Sequence, residues 1–146
     1  MNQKQALMFY RCDVSIHTLL PYADKGVHAG FPSPAQDAME KSLDLNELII
    51  KRPASTFFAR VQGDSMKDAG VNDGDILVID KSIAPRSGAM AVCFVDGEFT
   101  LKYIKVGKGC LWLVPANTAY PPIRVSEDND FTIWGIVTFV IHKQRY

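Results

Sequence analysis

The sequence predicts a mainly β domain, on three observations. Six apolar, β-branched runs of strand length lie between residues 56 and 142. Turn-forming clusters separate them, among them "NDGD", "PRSG", "VDGE" and "VGKG". No run alternates with a long helical pattern, so a parallel βαβ sheet is not expected.

The elements follow in order. Residues 1–35 show no persistent period and read as an arm, although "DVSIHTLLPYADKGVHAG" could carry a short strand broken by Pro21, Gly26 and Gly30. "GFPSPAQ" holds two X-Pro steps that push Phe31 and Ser33 toward extended backbone, which places an accessible joint near 29–34. "PAQDAMEKSLDLNELII" (34–50) predicts one short helix, with Asp37, Glu40 and Asp44 mostly toward its start. The strand runs are 56–62, 75–80, 88–95, 98–106, 109–116 and 130–142. Asp96-Gly97 between two of them is a two-residue hairpin signal.

The chain has 146 residues, enough for one compact domain with a tail. Its 16 basic and 16 acidic residues cancel, and no basic stripe marks a phosphate-binding face, so direct specific DNA binding is not expected. "KVGKG" and "HKQRY" read as solvated basic clusters. Cys12, Cys93 and Cys110 form no C-x-x-C spacing, so neither a disulfide framework nor a zinc site is expected; with no other cofactor signal, a reducing, cytoplasmic location is. The apolar run Ala6–Tyr10 is too short for a signal peptide or a membrane span.

Ser65, in "GDSM", is either a turn cap or a nucleophile. A nucleophilic serine needs a base. His17, His28 and His142 lie in the arm or near the end of the chain, none with an aspartate at a familiar spacing, so they read as surface histidines. Lysine is the other base, but at its ordinary pKa only about one in 2,500 is neutral at pH 7. Burial in apolar surroundings lowers that pKa. Lys102, inside "EFTLKYI" with Thr100 and Ile104 on its own strand face, meets that requirement, or else it is a solvated edge-strand lysine. Lys67 and Lys105, beside polar turns, are the weaker alternatives. Upstream, Ala29-Gly30 in "VHAGFPSP" offers small side chains at an extended site, or simply a glycine-bearing linker.

Together, "GDSM", "GVNDGDILVID" and "DGEFTLKYI", with Ser65 and Lys102 37 positions apart and "AGFPSPA" upstream, resemble the self-cleaving Ser-Lys peptidases of the LexA type in their UmuD/MucA-like branch. The resemblance runs from about Gly30 to Val140. It implies a compact peptidase β-domain with an extended, flexible N-terminal arm. Ser65 would be the nucleophile and Lys102 the neutral general base. The backbone N–H groups of Asp64 and Ser65 would form the oxyanion hole. Ala29–Gly30 would be the bond cut in the chain's own arm. Residues 1–29 would then be removed, 30–55 would remain as a linker, and 56–146 would form the peptidase and dimerisation domain. The resemblance also implies a homodimer and cleavage stimulated by a RecA filament on single-stranded DNA. The product would serve as accessory subunit of a UmuC-type translesion polymerase in SOS mutagenesis. It implies no metal and no cofactor.

Three other functions remain in view. A LexA-like repressor needs a helix-turn-helix of about sixty residues or more ahead of the cut, where 29 stand here. A signal peptidase acting in trans needs a membrane anchor, and no run supplies one. A β-rich interaction module without activity needs only a capping Ser65 and a solvated Lys102.

Overall fold

The structure, a computed structural model, describes residues 7–22 and 41–145. Its strands are β1 (Leu7–Arg11), β2 (Leu20–Tyr22), β3 (Lys41–Leu43), β4 (Thr56–Val61), β5 (Ile76–Asp80), β6 (Met90–Val95), β7 (Glu98–Gly107), β8 (Cys110–Val114), β9 (Ile123–Val125) and β10 (Phe131–Ile141). The protein is mainly β, as expected. Eight strands form one sheet in the order β1-β4-β5-β10-β6-β7-β8-β9, and β2 pairs with β3 in a separate ribbon. Every pairing is antiparallel.

The six expected strand runs appear as β4, β5, β6, β7, β8 and β10, with ends within about two residues of those predicted. The hairpin between β6 and β7 turns on Asp96 and Gly97, with Val95 opposite Glu98. Both turn residues have positive φ, 48° and 87°, as a type I′ turn requires. The helix is shorter than residues 34–50 suggested: α1 covers Leu45–Ile49, capped by Asp44, whose carboxylate accepts from the Asn46 N–H. Lys41–Leu43, ahead of it, is extended and paired.

Three strands, β1, β3 and β9, were not foreseen, whereas β2 falls in the stretch that could carry a short strand. β2, β3 and β9 are three residues each. β1 lies within the segment expected to be an arm, yet it pairs with β4 at the edge of the main sheet. Residues 7–11 of the expected arm contribute to the core, because Leu7 and Phe9 pack against it.

The strands bury residues on both sheet faces. Ala59, Val61, Met66, Val71, Leu77, Ile79, Val92 and Leu101 form one cluster. Ala91, Cys93, Ile104, Leu113 and Ile136 form the other. The alternation of Val92 with Ala91 and Cys93 is the two-residue period of a strand. Across the centre, β10 shifts register between Ile133 and Gly135. A Cβ at Gly135 would lie 2.5 Å from Ile79 Cγ2, so only glycine lets the bulged strand approach β5 this closely.

Candidate active site

Ser65 sits in the turn that follows β4. Gly63, at φ 102°, reverses the chain and donates its N–H to Asp73. The turn then tightens into a short 3-10 segment, Lys67–Ala69, closed by Gly70 in the left-handed region. Met66, wholly buried in the core, anchors the turn beside the serine.

A second loop, after β8, clamps the first. Asn117 Nδ2 donates to the Asp64 carbonyl at 2.8 Å and Tyr120 donates its hydroxyl to the Asp64 carboxylate at 3.0 Å. The Asp68 N–H donates to the Ala116 carbonyl at 2.7 Å, and the Ala116 N–H approaches the Met66 sulfur at 3.3 Å. Asn117 is itself 4% exposed and receives the Ala119 N–H, so its amide is held from both ends. Nothing in "PANTAY" marked these residues in the sequence, where Asn and Tyr after a strand are ordinary loop composition.

Lys102 projects from the middle of β7, opposite Ala91 on β6. Ser65 and Lys102 are each 6% exposed, and Lys102 Nζ lies 3.3 Å from Ser65 Oγ. Nζ also donates to Thr100 Oγ1 at 2.7 Å and to the Leu101 carbonyl at 3.0 Å. Thr100 shares the lysine's strand face, as the two-residue period anticipates, but its part in holding Nζ was not foreseen.

Burial pushes the Lys102 pKa down to about 8, because the ammonium loses its hydration. A Cys93 thiolate would oppose that shift, but burial pushes the thiol up to about 12, so it is neutral and exerts no such pull where the lysine titrates. The other lysines differ: Lys67 and Lys105 are exposed. Of the histidines, His17 pairs with Asp44 at 2.8 Å and His142 with Asp75 at 2.6 Å, which makes each more than a solvated side chain. His28, Ala29 and Gly30 lie outside the described residues.

The arrangement has a definite chemical capacity. An ammonium would direct three N–H bonds at Ser65, Thr100 and Leu101. A neutral amine has two N–H groups and one lone pair. With Thr100 Oγ1 and the Leu101 carbonyl taking the two donors, the lone pair is left for the Ser65 O–H. Among the described residues, one group of donor side chains could hold a cation: His17, Asp44 and Glu47, within 4.8 Å of one another. The His17–Asp44 hydrogen bond already accounts for two of the three. No helix among the described residues is long and apolar enough to cross a membrane.

An antiparallel sheet that brings a turn serine to a buried strand lysine is a layout compatible with a serine peptidase domain. The chain belongs to the Peptidase S24-like family, whose sequence profile matches residues 21–138. It is 44% identical over 130 residues to protein SamA of Salmonella typhimurium, covering 89% of this chain and 90% of SamA. It is 38% identical over 125 residues to protein MucA of Escherichia coli, covering 84% of each. A LexA repressor from Alcanivorax borkumensis is 43% identical over 110 residues, which span 75% of this chain and 52% of that protein.

Proposed function

We propose that this protein is a self-processing serine peptidase that cuts its own Ala29–Gly30 bond, with Ser65 as nucleophile and Lys102 as general base. The observation that carries the reading is the buried Lys102 amine 3.3 Å from Ser65 Oγ. Neutral Lys102 takes the Ser65 proton as Oγ attacks the Ala29 carbonyl carbon. The oxyanion is met by the backbone N–H groups of Asp64 and Ser65. In support, the Asp64 carbonyl is held by Asn117 and by the Lys67 N–H. The Ser65 N–H shares that planar trans peptide, so its direction is fixed with it. The Lys102 ammonium then protonates the Gly30 nitrogen, which leaves, and Ala29 remains as an ester on Ser65. Water, deprotonated by Lys102, hydrolyses the ester and regenerates both groups. Residues 1–29 end in a new carboxylate, no longer joined to the rest of the chain, and the product keeps 30–55 as a linker ahead of the 56–146 peptidase and dimerisation unit.

The kinship with MucA and LexA supports placing this chemistry in the SOS response. In that setting the protein is a cytoplasmic homodimer stimulated by a RecA filament on single-stranded DNA. Its cleaved form is the accessory subunit of a UmuC-type polymerase. Tethering supports a once-only reaction, since a bond in the same chain reaches an effective concentration of about millimolar without binding affinity.

The test is an intact-mass measurement after incubation at pH 9–10, above the Lys102 pKa of about 8. A product beginning at Gly30, 117 residues long, is expected. Ser65→Ala should leave the chain whole. A fragment starting elsewhere, or cleavage that persists without Ser65, overturns the assignment.

A further inference from the structure

Among the described residues, β1 lies at the edge of the sheet and has β4 as its one neighbour. Five residue pairs hold it, from Leu7 opposite Val61 to Arg11 opposite Phe57. Met8 and Tyr10 face outward, half exposed, while Leu7 and Phe9 face the core. The Phe9 ring sits 4.9 Å from Phe99 and 4.6 Å from Trp134, and Phe57 lies 5.2 Å from the same tryptophan. Phe9 is thus the plug in an aromatic socket built by β4, β7 and β10.

The same N-terminal segment is tied down twice more. β2 pairs with β3. His17 Nδ1 and Asp44 Oδ2 are 2.8 Å apart, and Asn46 donates to the Ile16 carbonyl at 3.0 Å. Each of these contacts joins residues 7–22 to residues beyond 40, on opposite sides of the Ala29–Gly30 bond. None of them needs the chain to be continuous. A strand ladder joined to an alternate-residue side-chain pocket is how sheet edges bind separate extended peptides. Loss of β1 would leave the β4 edge groups unpaired and Trp134 uncovered, a costly state for the body alone.

We propose that the β4 edge with its aromatic socket is a strand-binding site, and that residues 1–29 stay bound there as a separate peptide after the chain is cut. Unmasking is then a second step, in which an extended partner strand with an aromatic side chain at the Phe9 position displaces the peptide. Self-cleavage, as proposed above, supplies the natural nick; the binding site does not depend on which enzyme makes it.

The test uses full-length Ser65→Ala protein carrying a site-specific protease sequence in place of residues 27–32, nicked in trans. Native mass spectrometry and gel filtration at micromolar concentration should find both pieces together, with urea separating them. A labelled synthetic peptide of residues 1–29 should exchange into the nicked protein. The Phe9→Ala peptide should compete about tenfold or more weakly, and the Met8→Ser peptide as well as the parent. Immediate loss of the N-terminal piece on gel filtration, or equal competition by the Phe9→Ala peptide, overturns the proposal. Retention in the nicked Ser65→Ala protein with no alkaline cleavage of the natural chain would refute self-processing and leave the strand site standing.

Discussion

Lys102→Met, made in a Ser65→Ala background so that the chain stays whole, isolates what it costs to keep that lysine where it is. The folded pKa of about 8, against 10.5 for a free lysine, is a displacement of two and a half pH decades, caused by desolvation of the ammonium. At about 1.4 kcal/mol per decade this is a penalty of about 3 kcal/mol. Below pH 8 the lysine is charged in both folded and unfolded chains, so the penalty is fully present. Between pH 8 and 10.5 the unfolded chain binds more protons than the folded one, and stability rises with pH as the penalty fades. By pH 10 less than about 1 kcal/mol should remain. Methionine removes the penalty and also the hydrogen bonds to Thr100 and Leu101, which oppose the gain by about 1 kcal/mol each. The variant should therefore be more stable than its parent by about 1 kcal/mol at pH 7 and less stable at pH 10. Urea unfolding followed by tryptophan fluorescence at both pH values measures it, and comparing the two proteins at each pH cancels the titration of other groups. A stability difference that is the same at pH 7 and pH 10 would show that Lys102 keeps its ordinary pKa, and the argument for it as a base would fail.

Four further outcomes follow from the structure. Lys67→Ala and Lys105→Ala, both exposed, should leave alkaline self-cleavage within about twofold of wild type. Lys102→Arg should abolish it, since a guanidinium stays charged; intact mass against time reads all three. Asn117→Ala releases the Asp64 carbonyl from its side-chain clamp and should slow cleavage without moving the midpoint of its pH–rate curve. It should also cost about 1–2 kcal/mol in a urea melt. Gly135→Ala forces a methyl against Ile79 and should destabilise the fold by about 1–3 kcal/mol, measured as a lowered thermal midpoint.

The outline of the sheet was legible in the sequence because its central strands carry their own signal. β5, β6, β7 and β10 are apolar runs bounded by turn residues, and Asp96-Gly97 can hardly be anything but a tight hairpin. The candidate pair was legible as well: Ser65 in a glycine-bearing turn, and Lys102 in a strand with apolar neighbours. That a lysine could be buried there was a sequence inference; that it is buried, with Thr100 and the Leu101 carbonyl holding two of its hydrogens, required strands β6 and β7 and the Ser65 turn to be assembled around it. Its lowered pKa is a property of missing water, and hydration is set by neighbours distant in the chain. The short strands and the edge strand β1 carried little signal of their own for a related reason. β2, β3 and β9 are too short to stand alone, and their order comes from a partner strand already in place. β1 looked like part of an arm because "LMFYR" is five residues without flanking turns, and only the socket of Phe99 and Trp134 turns its Phe9 into core. The local sequence thus determined which segments extend and which side chains could react, whereas the tertiary structure decided which are covered, since burial is shared between residues far apart in the chain.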